Sequence, residues 1–168
     1  MKIKRLTIAS MCLALGIIMP QAFHLIPNAG NIFLPMHIPV LISGFLCGPF
    51  YGLLVGLLTP IISHVVFQMP PVIMLGQMIV ELGVYGLLTG ILNKVINIKS
   101  IILKNYVVLI ISMLIGRIVY GVMNALVFRA NDYSFKIWLT MAFVTSLPGI
   151  IIQLLLVPIV VKSSQKLL

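Results

Sequence analysis

Two ionisable side chains, Glu81 and Arg117, lie inside long apolar stretches of this 168-residue chain. Moving a charge from water into hydrocarbon is costly, so such a residue marks a functional site unless something neutralises it. Gln77, Glu81 and Tyr85 recur at four-residue steps, and Arg117, Tyr120 and Asn124 are spaced by three and then four. Each set therefore shares one face of its own helix. The chemistry on offer is recognition. A guanidinium presents a fork that matches a ligand carboxylate, whereas Glu81 beside Gln77 suits adjacent N–H donors. Catalysis lacks its parts: the chain has two acidic residues in all, no HExxH or GxSxG, and no phosphate-cradling glycine loop followed by Lys-Ser/Thr. It is not expected to be an enzyme, to hydrolyse ATP or to need a cofactor.

The elements that must position these residues are membrane spans. Of the residues, 61% are hydrophobic and 8% charged, against about 25% charged in a soluble domain. This predicts an all-α integral membrane protein forming a single domain over residues 1–168. The net charge of +9 does not point to nucleic acid, because the cations gather at the ends of apolar stretches and no basic helix face exists. About 20 helical residues cross a bilayer core, and six spans fit the pattern, over 6–26, 34–47, 50–66, 73–93, 106–128 and 137–161. Gly48-Pro49 separates the second from the third, since proline ends a helix just before itself. The first span is no cleavable signal: no small-residue cleavage site follows it.

Charge bias sets the expected orientation. With both termini in the cytoplasm, Lys2, Lys4, Arg5, Lys94, Lys99, Lys104, Lys162 and Lys166 face inward, and only Arg129 and Lys136 face out. Counted from the outer ends, Glu81 then lies about 12 Å deep, Arg117 about 16 Å, and Thr145 and Ser146 about 12–14 Å. Three spans thus bring polar groups to one level in the outer half, with Pro148-Gly149 below it able to bend the last span. Glu81 and Arg117 either neutralise one another or hold a ligand. The crowd of uncharged hydrogen-bonding side chains favours a ligand pocket, and both readings can hold together.

The outer loop Pro27-Asn28-Ala29-Gly30-Asn31 has strong turn chemistry, and beside the pocket level it reads as a lid that places Asn28 and His37 near the ligand. His24, His37 and His64 sit near outer span ends, but their spacing matches no zinc motif and no metal site is expected. Cys12 and Cys47 read as small packing residues. Residues four apart form small-residue ridges: Gly48, Gly52 and Gly56; Gly86 and Gly90; and Ser10 and Ala14. Such ridges let helix backbones approach closely in lipid, within the chain or against a partner. The hexapeptide 51–56 (YGLLVG) echoes 85–90 (YGLLTG), an echo that a chain rich in Leu and Gly produces readily by chance.

Together, the basic N-terminus, the Ser10/Ala14 ridge in the first span, the Pro/Asn/Gly loop, His37-Ile38-Pro39-Val40 and the run from Gly48 to Gly56 (GPFYGLLVG) form a recognisable order. In these features, and in length and span count, the whole chain resembles the substrate-binding S component of an energy-coupling factor (ECF) vitamin transporter. The resemblance implies a plasma-membrane protein that captures a vitamin-like small molecule from outside and works with a transmembrane coupling subunit and two cytoplasmic ATPases. It also implies that the first-span ridge docks on the coupling subunit and that the component topples to deliver its ligand. The family pattern there is two alanines four apart; here Ser10 and Ala14 hold those places, and Ala9 is off register. The ligand would lie among the first outer loop and spans four to six. Pantothenate or nicotinate would suit Arg117; a deazaguanine precursor of queuosine, or a pyrimidine, would suit Glu81 and Gln77. Cobalamin is too bulky for a level so full of large side chains. The competing reading is a self-sufficient small channel or exporter, oligomerising through its glycine ridges.

Overall fold

In lipid every backbone polar group needs an internal partner, and a helix supplies one locally. The computed structural model describes residues 2–23, 29–128 and 133–165, and these form helices joined by short turns. Helix α1 (Lys2–Ile18) tightens into a 3₁₀ turn over Met19–Phe23, where Pro20 cannot donate an α-helical hydrogen bond. Next come α2 (Ala29–Phe33), α3 (His37–Cys47), α4 (Pro49–Phe67), α5 (Val72–Val95) and α6 (Ile101–Met123). The chain then winds as a π-helix over Asn124–Phe128, forms α7 (Phe135–Leu139) and a second π segment (Thr140–Thr145), and ends in α8 (Leu147–Gln165). Six helical stretches among the described residues are long and apolar enough to cross a membrane: Ile3–Phe23, Ala29–Cys47, Pro49–Phe67, Val72–Val95, Ile101–Val127 and Leu147–Ser164.

Two spans differ from the sequence expectation. The second reaches back to Ala29, because α2 and α3 together make a 19-residue apolar stretch. The sixth is not continuous over 137–161. It breaks at Ser146, leaving 135–145 as a separate short apolar segment and α8 as the crossing helix. Pro148-Gly149, expected to bend that span, lies just after the break, and Gly149 also lets α2 approach: a Cβ there would meet the backbone of Ile32 and Phe33.

Helix α3 is the centre of the bundle. All of its 11 residues except Ile42 are buried, and it packs on α1, α4, α5 and α8. Gly48, at φ 93°, is the single residue between α3 and α4, a conformation natural to glycine; Pro49 then begins the next helix, where its missing N–H costs nothing.

The glycine ridges meet one another inside the chain. A Cβ on Gly52 would strike the Gly86 carbonyl, one on Gly86 the Gly52 backbone, one on Gly56 the Leu82 carbonyl, and one on Gly90 the Pro49 backbone. Helices α4 and α5 therefore touch backbone to backbone. The Ser10/Ala14 ridge does the opposite: both residues are exposed on α1, while Ala9, Cys12 and Gly16 of the same helix are buried.

Candidate functional site

The buried face of α5 carries Gln77, Glu81, Tyr85 and Thr89 in one line. At its N-terminal end the helices stand apart around a cavity of about 450 Å³, within the range that holds small organic ligands. Its rim is built from Pro20 and Phe23, from Ala29 to Asn31, and from the turns at Leu34–Met36 and Met69–Pro71. His64 secures the last of these, with its Nδ1 2.7 Å from the Pro70 carbonyl oxygen.

Two polar groups line this space without a salt bridge between them. On the α5 side, the Tyr85 hydroxyl donates to Glu81 Oε1 at 3.0 Å, and His37 Nε2 approaches Glu81 Oε2 at 3.7 Å. The Tyr85 ring lies 5.4 Å from the His37 ring. It can sit there because α6 offers Gly116, where any Cβ would collide with it. On the α6 side, Arg117 donates through Nη1 to the Ala142 carbonyl, and its guanidinium lies 5.7 Å from the Phe143 ring centroid. Its Nε and Nη2 have no hydrogen-bond partner although the residue is only 4% exposed. The basic side chain beside Glu81 is His37, not Arg117. A guanidinium left in this state bears an unreturned desolvation cost.

The segment 135–145 holds Arg117 from outside the bundle. The Trp138 indole N–H donates to the Arg117 carbonyl at 3.0 Å, its ring seated against Gly121. Ser146, at the break before α8, donates to the same Ala142 carbonyl at 2.7 Å. The π winding of 140–145 is the kind of irregular helix that recurs at functional sites.

Of the residues singled out in the sequence, Gln77, Glu81, His37, Arg117, Tyr120 and Ser146 line this one cavity. Tyr85 stands behind Glu81, fully buried. Asn124 is buried and turns back on its own helix, donating to the Tyr120 carbonyl at 2.8 Å, and neither it nor Thr145 lines the cavity. Asn28, His24, Arg129, Asp132 and Lys166 lie outside the described residues. Other lining residues carry no sequence signal of polarity: Met36, Met69, Met74, Met78 and Met141. Half of the chain's 10 methionines thus meet here, an enrichment visible in composition but not assignable to one place without the fold. Trp138, the only tryptophan, is likewise placed beside Arg117 by tertiary structure alone.

Comparison with known proteins gives one family. The model of the ECF transporter substrate-specific component matches residues 4–161. Comparisons with curated proteins and with solved structures found no match. The family match spans nearly the whole chain, and the six apolar helices agree with it. The chain belongs to the substrate-specific components of ECF transporters, and is accordingly a multi-pass plasma-membrane transport subunit and not an enzyme.

Proposed function

We propose that the cavity captures a vitamin-like small molecule from outside the cell and that Arg117 holds its carboxylate. The observation that carries this reading is the buried Arg117 side chain, which lines the cavity with Nε and Nη2 unpartnered. Bidentate pairing with a carboxylate is the chemistry a guanidinium serves best. Glu81, braced by Tyr85 and facing His37, orients the other end of the ligand. Among the candidates, pantothenate and nicotinate supply the carboxylate, whereas the deazaguanine and pyrimidine rings offer Arg117 only neutral carbonyl acceptors, which make weaker hydrogen bonds. In this reading both termini lie in the cytoplasm, which the distribution of cations supports, and the cavity opens outward.

Delivery runs through α1. Its outward face carries Ser10 and Ala14 between Leu6, Met11, Leu15 and Ile18, all exposed. The hydroxyls on this face fold back on the helix, Thr7 to the Ile3 carbonyl at 3.1 Å and Ser10 to the Leu6 carbonyl at 3.0 Å. What remains is a shallow apolar stripe that suits close helix packing against the transmembrane coupling subunit, which two cytoplasmic ATPases drive. The channel reading loses its support, since the glycine ridges it needs for oligomerisation are spent between α4 and α5.

The test is a thermal-shift panel of vitamins on the purified chain. A true ligand at 100 times its Kd adds about 2.7 kcal/mol, or about 5–11 °C for a chain of this size. The shift should vanish in Arg117→Ala. A shift that survives in Arg117→Ala would show that the carboxylate is held elsewhere.

A further inference from the structure

Resting on the capture reading above, we infer that the captured molecule is bipolar: it carries a carboxylate for Arg117 at one end and hydroxyl or amide N–H donors for the Gln77–Glu81 face at the other. The two walls make opposite demands. Arg117 is donor-only, with two nitrogens unpartnered at 4% exposure. The α5 wall asks for donors. Gln77 Oε1 has no partner in a residue 3% exposed, and a carboxylate such as Glu81 only accepts. Tyr85 takes one Glu81 oxygen at 3.0 Å, but His37 stands 3.7 Å from the other, beyond the ordinary N–H···O range.

Neither half-ligand answers both walls. A bare carboxylic acid would satisfy Arg117 and leave Gln77 and the second Glu81 oxygen unmet. A ligand offering donors alone would satisfy α5 and leave two guanidinium nitrogens unmet. Both orphaned groups cost free energy, so a molecule that reaches both walls gains from each. His37, with both ring nitrogens unpartnered, can turn its N–H to Glu81 or to a ligand hydroxyl. Methionine side chains such as Met74, Met78 and Met141 also line the cavity and give it an adaptable apolar wall. A cavity of about 450 Å³ also has room for a chain longer than a single aromatic ring.

Three probes separate the alternatives by calorimetry on the full purified chain in detergent. Pantothenate has a carboxylate at one end and hydroxyls at the other, joined through an amide. Panthenol differs by an alcohol in place of the carboxylate, and nicotinate has a carboxylate but no donor. Sites built to hydrogen-bond a ligand group reject analogues lacking it by large factors, so pantothenate is expected to bind about 100-fold or more tightly than either other probe. Gln77→Leu should weaken pantothenate about tenfold and leave the residual nicotinate binding unchanged; Gln77→Met serves if the leucine variant does not fold. Nicotinate binding as tightly as pantothenate, and lost in Arg117→Ala, overturns the bipolar assignment but keeps the Arg117 carboxylate site. Panthenol binding equally well overturns both. Absence of binding by all three overturns the bipolar assignment, and the molecule that travels with the native chain then decides the capture reading separately.

Discussion

Two faces of α5 lie side by side and are packed in opposite ways. One face, at Leu82, Gly86 and Gly90, meets α4 so closely that no side chain fits between the backbones. The other, at Gln77, Glu81 and Tyr85, is fully buried, yet at its upper end it fronts a cavity where Gln77 Oε1 has no partner. Glu81 and Gly86 are five residues apart, about 7.5 Å along the helix. The difference teaches how a membrane protein without a hydrophobic driving force between its helices can keep a hollow, polar site. Dense backbone contact on one side fixes the helix, and the stability gained there tolerates unsatisfied groups on the other.

Breaking the close-packed face should have the largest effect. Gly86→Leu drives a side chain into the Gly52 backbone, and overpacking of about 3 kcal/mol corresponds to a Tm loss of about 6–12 °C in a chain of this size, read by thermal unfolding in detergent. The polar face should respond in the opposite sense. Arg117→Ala is expected to weaken ligand binding about 100-fold or more, as loss of one partner from a buried charge pair does, while the Tm moves by less than about 3 °C because the lost hydrogen bond to Ala142 is offset by removal of a buried charge with two unpartnered nitrogens. Tyr85→Phe removes one hydrogen bond to the Glu81 carboxylate and should weaken binding about tenfold, with a smaller change in Tm than Gly86→Leu. Ser10→Leu combined with Ala14→Leu should touch neither quantity, since both positions are exposed. Its effect should appear only as loss of the complex with the coupling subunit in a pull-down, and a fall in ligand binding instead would place that ridge in the chain's own packing.

Much of this contrast is legible in the sequence because it follows helical period. The four-residue recurrence of Gly52 and Gly56, of Gly86 and Gly90, and of Gln77, Glu81 and Tyr85 depends on one helix at a time, and a single helix has no freedom to place those residues otherwise. What required the fold is pairing across helices. Glu81 and Arg117 are the two charges that sequence reasoning naturally joins, yet Glu81 is met by Tyr85 and His37 while Arg117 turns to Ala142 and Phe143. The break at Ser146 is half legible. Pro148-Gly149 marks a bend in the last span, but residues 137–161 are apolar enough to read as one span, and the π winding of 140–145 goes with contacts from Arg117 and Ser146 to Ala142 that only the fold supplies. The methionines of the cavity come from four separate segments, so no window of sequence gathers them.

The most direct test of ligand capture through Arg117 is native mass spectrometry of the chain purified gently from cells, with the wild type and Arg117→Ala run side by side. The wild type should carry one small carboxylate-bearing molecule per chain, and the folded variant should be empty. A wild-type chain that carries a molecule without a carboxylate, or a variant that retains the same molecule at the same occupancy, would contradict the role given to Arg117.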